Sequence, residues 1–122
     1  MAPRTILVAD DDRHLRESLV EMLVGLGCQA LPAANGNAAM TELSRTRFSL
    51  LLSDVDMPDV SGFQLIAWAQ ERGCADRCAL MSARTDALLS TRAHEAGAVA
   101  MLAKPVALRH LSTLLTNAFG PA

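Results

Sequence analysis

The feature that most constrains this chain is a repeated alternation between short apolar runs and segments with helical spacing. Thr5–Ala9 is a short apolar run that ends in Asp10-Asp11-Asp12, which suits a buried strand. Leu15, Leu19, Met22, Leu23 and Leu26 then recur at helical spacing, and Gly25 and Gly27 mark a stop. Cys28–Pro32 reads as a weaker second strand, Asn35-Gly36 as a turn, and Ala38–Arg47 as a short helix with Met40 and Leu43 inward. Phe48–Ser53 repeats the first pattern and also ends on an acid, Asp54. Phe63–Arg72 is helical through Phe63, Ile66 and Ala69 and stops at Gly73. Arg77–Ser82 is a fourth strand, followed by a helix over Asp86–Ala96 that ends at Gly97. Val99–Ala103 is a fifth strand, and Val106–Phe119 a last helix through Leu108, Leu111, Leu115 and Ala118.

Strands alternating with helices predict an α/β fold: a doubly wound parallel sheet of five strands with helices on both faces. The 122 residues suit one domain over 1–122, and 51% hydrophobic residues suffice for a core. A net charge of −2 gives no reason to expect direct nucleic-acid binding. No apolar run approaches the roughly 18 residues of a spanning helix, and the amino terminus lacks a signal-peptide layout. An odd number of cysteines, three, without a disulfide framework fits a reducing compartment, so a cytoplasmic chain is expected. Cys74 and Cys78 have no second Cys/His pair at zinc-ligand spacing and read as reduced thiols.

Two irregularities point to chemistry. Six of the eight aspartates fall into two groups, Asp10-Asp11-Asp12 and Asp54, Asp56 and Asp59. Ten of the eleven basic residues are arginine, and the single lysine is Lys104. In open parallel sheets ligands bind beyond the carboxyl ends of the strands. The residues just past the first, third, fourth and fifth strands are Asp10 and Asp11, Asp54, Ser82 and Ala83, and Lys104. Clustered carboxylates repel one another, and a hard dication removes the conflict. Mg²⁺ takes oxygen ligands and is commonly held by one or two carboxylates together with a phosphate. Asp11 and Asp54 are the natural direct ligands, with Asp10 acting through water and the backbone carbonyl near Asp56 completing the set. Asp12 is the expected N-cap of the first helix. The compact ammonium of Lys104 can approach a phosphoryl oxygen where a planar guanidinium would not fit. Ser82 offers a hydroxyl donor. The whole describes phosphoryl transfer to a carboxylate nucleophile. His14, His94 and His110 read as polar helix residues, and Trp68 as packing on the third helix.

The motifs Ile6-Leu7-Val8-Ala9-Asp10-Asp11-Asp12, Asp54-Val55-Asp56-Met57-Pro58-Asp59-Val60-Ser61-Gly62, Met81-Ser82-Ala83, Gly97-Ala98 and Lys104-Pro105 resemble, in this order, the response-regulator receiver domains of two-component signalling. The resemblance implies a flavodoxin-like strand order 2-1-3-4-5, Asp54 as phosphoacceptor, Asp10 and Asp11 as the acid pair, Ser82 as switch hydroxyl, Lys104 as the phosphate-pairing cation, and a cis bond to Pro105. It also implies that the phosphodonor is a sensor histidine kinase or a histidine phosphotransfer protein, with a downstream protein partner, and that the chain catalyses only its own phosphorylation and dephosphorylation. Such domains usually carry Tyr or Phe where this chain has Met101, which has neither a hydroxyl nor a rigid ring, so output is expected to run through the Arg84–Asp86 loop and the fourth helix. Asp56 and Arg84, each two residues beyond a site residue, are expected to overhang the site and slow dephosphorylation. Two other readings are a haloacid dehalogenase-type phosphatase, suggested by Asp54-Val55-Asp56, and an adaptor of the same fold that is not phosphorylated. The first is opposed by the lack of any acid after Lys104 and of room for a capping insertion.

Overall fold

A computed structural model describes residues 3–84 and 86–121. Met1 and Ala2 of the amino-terminal reading, and Thr85 of the loop after the fourth strand, lie outside the described residues. Strands β1 (Thr5–Ala9), β2 (Gln29–Ala33), β3 (Phe48–Asp54), β4 (Ala75–Ser82) and β5 (Met101–Ala103) alternate with helices α1 (Arg13–Gly25), α2 (Gly36–Arg45), α3 (Gly62–Arg72), α4 (Ala87–Glu95) and α5 (Leu108–Phe119). The strands form one parallel sheet in the order β2-β1-β3-β4-β5.

The central strands are apolar on both faces because both faces are covered. Leu7, Leu51 and Leu80 point into a core with Leu43, Leu65, Ile66 and Ala93, under α2, α3 and α4. Ile6, Val8, Leu50, Leu52 and Met81 point the other way, against Leu19, Leu23, Leu111 and Leu114 of α1 and α5. Each buried leucine contributes about 1.5–3 kcal/mol relative to exposure, so the two layers together hold the sheet between the helices.

Helix boundaries follow capping chemistry more than apolar spacing. Asn35, read as part of a turn, is the N-cap of α2 through its side chain, so the helix begins at Gly36 and not at Ala38, and it ends at Arg45, two residues before the expected Arg47. Ser61 and Gln64 form a capping box at the start of α3, and Gly73 closes that helix in the left-handed conformation at φ 65°. Asp86, read as the first residue of α4, is its N-cap. The expected Asp12 cap of α1 is present, its carboxylate accepting from the Leu15 amide.

Three strands and the last helix also depart from the expected limits. β2 runs Gln29–Ala33, one residue later than expected, because it pairs residue for residue with Thr5–Ala9. β4 starts earlier, at Ala75, which pairs with Phe48. β5 is regular only from Met101, although Val99 and Ala100 already hydrogen-bond to Cys78 and Leu80. α5 starts at Leu108, not Val106, where His110 Nδ1 accepts the Ala107 amide. Its buried phase runs through Leu111 and Leu114, so Leu108, expected inward, is 49% exposed. Among the described residues no helix is long and apolar enough to cross a membrane.

Candidate functional site

The carboxyl ends of β1, β3, β4 and β5 bring Asp10, Asp54, Ser82 and Lys104 to one rim. Register explains the convergence: Ala9 lies beside Ser53, Asp54 beside Met81, and Ser82 beside Ala103, so each polar residue falls at or one step beyond its strand end. The Val55 amide bonds to the Met81 carbonyl and the Lys104 amide to the Ser82 carbonyl, which locks these ends together.

Lys104 Nζ lies 2.8 Å from Asp54 Oδ2 and 2.9 Å from Asp10 Oδ2. Asp10 is fully buried and Asp54 is 6% exposed. Asp10 Oδ1 accepts from the Asp12 amide, and Asp54 Oδ1 from the Asp56 amide. The contact from Lys104 to Asp10 is close but poorly aligned, so Asp10 Oδ2 has no hydrogen bond of good geometry. Burial of the Asp54 carboxyl raises its pKa, more than Lys104 offsets. Burial pulls Lys104 down, but its hydrogen bond to Asp54, its close contact with Asp10 and the charge of both carboxylates hold its ammonium above the usual range.

Two buried carboxylates facing one ammonium leave an excess negative charge. Asp11 adds a third, since oxygens of Asp10, Asp11 and Asp54 all lie within 4.8 Å of one another. Three carboxylates this close, one with a buried oxygen lacking an aligned donor, fit a hard dication. Asp56 is not among these three: its side chain turns outward to Arg84, whose Nη2 is 3.2 Å from Asp56 Oδ2. Ser82 is buried, its Oγ accepts from the Arg84 amide, and its hydroxyl proton has no acceptor among the described residues. Ala83 is exposed just beyond β4, Met101 is half-buried against the core at the start of β5, and the Lys104–Pro105 bond is cis.

The sequence reading did not give the contacts of three further residues. Arg16, one turn into α1, donates to the Asp10 carbonyl at 2.7 Å. Asp59, grouped by sequence with Asp54 and Asp56, leaves the site: its two oxygens accept the Gly36 and Asn37 amides at the start of α2. These bonds hold its pKa below the usual carboxylate range, the Asn37 amide contributing most. Gly62 is the third: its amide donates to the Val55 carbonyl, which seats the start of α3 against the end of β3. A glycine after a turn-rich loop was visible in the sequence; the backbone it approaches was not. His14 and His94 are exposed, and Trp68 is half-buried with the Arg72 guanidinium over its ring.

Residues 6–116 match the family model of the response regulator receiver domain. The chain is 33% identical over 118 residues to the DNA-binding transcriptional regulator NtrC of Azospirillum brasilense, covering 97% of this chain and 24% of that protein. It is 36% identical over 117 residues to the response regulator protein FleR of Pseudomonas aeruginosa, covering 96% and 24%. It is 33% identical to the sensor histidine kinase RcsC of Escherichia coli, covering 91% of this chain and 12% of that one. The chain thus spans about a quarter of the length of NtrC and FleR. The chemotaxis protein CheY4 of Vibrio cholerae superposes with a TM-score of 0.90 at 23% identity, covering 97% of this chain and 100% of that chain. A response regulator from Thermotoga maritima gives 0.88 at 27% identity, covering 98% and 100%. The family match does not favour the phosphatase reading. With acids, lysine and buried serine on one rim of a sheet in this order, the chain belongs to the response regulator receiver domain family.

Proposed function

We propose that residues 1–122 act as one receiver domain in which Asp54 accepts a phosphoryl group from a phosphohistidine. The observation that carries this reading is Asp54 itself, a buried carboxylate with Lys104 Nζ at 2.8 Å and with Asp10 and Asp11 in the same cluster. A carboxylate oxygen of Asp54 attacks phosphorus, the N–P bond breaks, and the imidazole leaves with its electron pair and takes up a proton. The product is an aspartyl phosphate, a mixed anhydride that hydrolyses.

Each neighbour has a role that its position supports. Lys104 supplies positive charge beside the entering oxygens. The Ser82 hydroxyl, whose oxygen already accepts from the Arg84 amide, can donate its proton to a phosphoryl oxygen. Asp10, Asp11, Asp54 and the backbone carbonyl of Asp56 would hold Mg²⁺, with Asp10 acting through water. Mg²⁺ would neutralise charge developing on the transferred group. The Arg84–Asp56 pair, adjoining the site on its exposed side, screens the phosphoryl group from attacking water.

The donor is a sensor histidine kinase or a histidine phosphotransfer protein, and the phosphorylated form binds a downstream protein partner. With Met101 in place of an aromatic ring, output runs through Ala83, Arg84, Pro105 and α4. A Met101→Ala variant that phosphorylates normally but fails to bind its partner would make Met101 the switch instead. The test of the whole reading is incubation with acetyl phosphate. One phosphate per chain should be gained only with Mg²⁺ and lost in Asp54→Asn; no gain would leave the fold as a binding adaptor.

A further inference from the structure

At the opposite end of the strands from Asp54, three arginines line one cavity of about 290 Å³ together with Asp76: Arg4 before β1, Arg47 before β3 and Arg77 in β4. Those strands are adjacent, in the order β1-β3-β4, so the fold sets the cations side by side. Alternation along the strands places Arg4 with Ile6, and Arg77 with Ala79, on the face covered by α1 and α5. Each guanidinium is held by a different contact. Arg47 Nε donates to Asp76 Oδ1 at 2.7 Å, Arg77 Nη1 donates to the Asp76 carbonyl at 2.9 Å, and Arg4 lies over the Phe119 ring at 4.3 Å. Of these three arginines only Arg47 pairs with a carboxylate among the described residues, so Arg4 and Arg77 carry two positive charges without acidic partners there.

Arg4 and Phe119 also line a second cavity of about 290 Å³, between the end of α1 and α5. Its walls include Leu26, Cys28, Leu115 and Phe119, with the hydroxyl-bearing Ser112 and Thr116 among them. The two cavities therefore meet at one stacked Arg–Phe pair, a cationic lobe on one side and an apolar lobe on the other.

We propose that this double cavity binds a nucleoside monophosphate, with the base in the apolar lobe and the phosphate among Arg77, Arg47 and Arg4. Charge matches: a phosphomonoester carries about −1.5 to −2 at neutral pH, against the two unpaired guanidiniums. Chemistry matches too, since guanidinium forks bind phosphate oxygens in pairs and their flat faces stack on planar rings. The Ser112 hydroxyl, and that of Thr116 as an acceptor since it already donates to the Ser112 carbonyl, suit the polar edge of a base better than an acyl chain. Arg4 also offsets partial negative charge at the carbonyl end of α5, so Arg77 is the cleaner position to test.

The experiment is calorimetric titration of the full chain with AMP, GMP, adenosine, inorganic phosphate and laurate. The expected result is one nucleoside monophosphate per chain, bound at least about tenfold more tightly than adenosine, phosphate or laurate. Arg77→Gln should weaken binding about tenfold and leave acetyl-phosphate labelling of Asp54 unchanged, whereas Asp54→Asn should leave nucleotide binding unchanged. Circular dichroism confirms that Arg77→Gln folds; if it does not, Arg47→Gln takes its place. Equal binding of phosphate alone, tighter binding of laurate, binding lost in Asp54→Asn but kept in Arg77→Gln, or no binding at millimolar nucleotide would each overturn the proposal.

Discussion

Gly62 lies against the backbone of Asp54 so closely that a Cβ added at Gly62 would stand 2.3 Å from the Asp54 carbonyl oxygen. The same glycine donates its amide to the Val55 carbonyl at 2.8 Å, which pins the start of α3 to the end of β3. The obstructing atoms are backbone, so Gly62→Ala forces β3 or α3 to move. The expected cost is about 1–3 kcal/mol of stability, with slower phosphorylation at saturating acetyl phosphate. Urea unfolding and a labelling time course measure both; wild-type values for both would show that the loop yields freely.

Removing the Arg84–Asp56 pair should shorten the life of the phosphorylated state and hardly touch stability. Both side chains are largely exposed, 59% and 71%, so the pair contributes less than about 0.5 kcal/mol. Asp56→Ala and Arg84→Ala should each speed loss of labelled phosphate several-fold. Unchanged rates in both variants would remove water screening as the role of this pair.

Lys104 should resist even its most conservative replacement. Two buried carboxylates converge on one ammonium, and a planar fork cannot take the same place beside both. Lys104→Arg is expected to slow phosphorylation on the order of 100-fold. Lys104→Met should cost about 3–5 kcal/mol in metal-free buffer by leaving the carboxylates without a cation, and Mg²⁺ should restore part of it. Unfolding curves with and without Mg²⁺ decide this, and an identical shift in the two buffers would count against a shared cation site.

Asp59 should give stability a measurable dependence on acid. Hydrogen bonds from Asn37 and Gly36 lower its pKa in the folded chain, so the folded state binds its proton less readily than the unfolded state. Its contribution is therefore complete above the ordinary carboxylate value of about 3.9 and fades as pH falls through the lower folded value. Burial moves Asp54 in the opposite direction, so its contribution has the opposite sign and cancels when wild type and Asp59→Asn are differenced. The wild-type advantage over Asp59→Asn should shrink between about pH 5 and pH 2, by unfolding measured at each pH. A constant difference would mean that the amide caps α2 as well as the carboxylate does.

What the sequence by itself determined is local. Period-two and period-3.6 patterning is a property of neighbouring residues, and it sufficed for five strands, five helices and the acids and lysine at the strand ends. Asp12 as a helix cap was equally legible, because a cap and its amides lie within a turn. Strand order came from family resemblance, since nothing in an apolar run names its neighbour.

Only the tertiary structure decided contacts between segments remote along the chain. Asp54 and Asp59 look alike in sequence, yet one is buried beside Lys104 and the other caps α2, more than twenty residues upstream of it. The Arg16 bond to Asp10 and the meeting of Arg4 and Arg77 on one cavity were likewise invisible. Leu108, expected inward, lies 49% exposed, and Leu114, which the sequence reading did not single out, is buried, because the start of α5 is set by His110 and the Ala107 amide, which sets the phase of the whole helix. The reason is common to all: patterning says which face a residue takes, whereas crossovers and caps choose what that face meets.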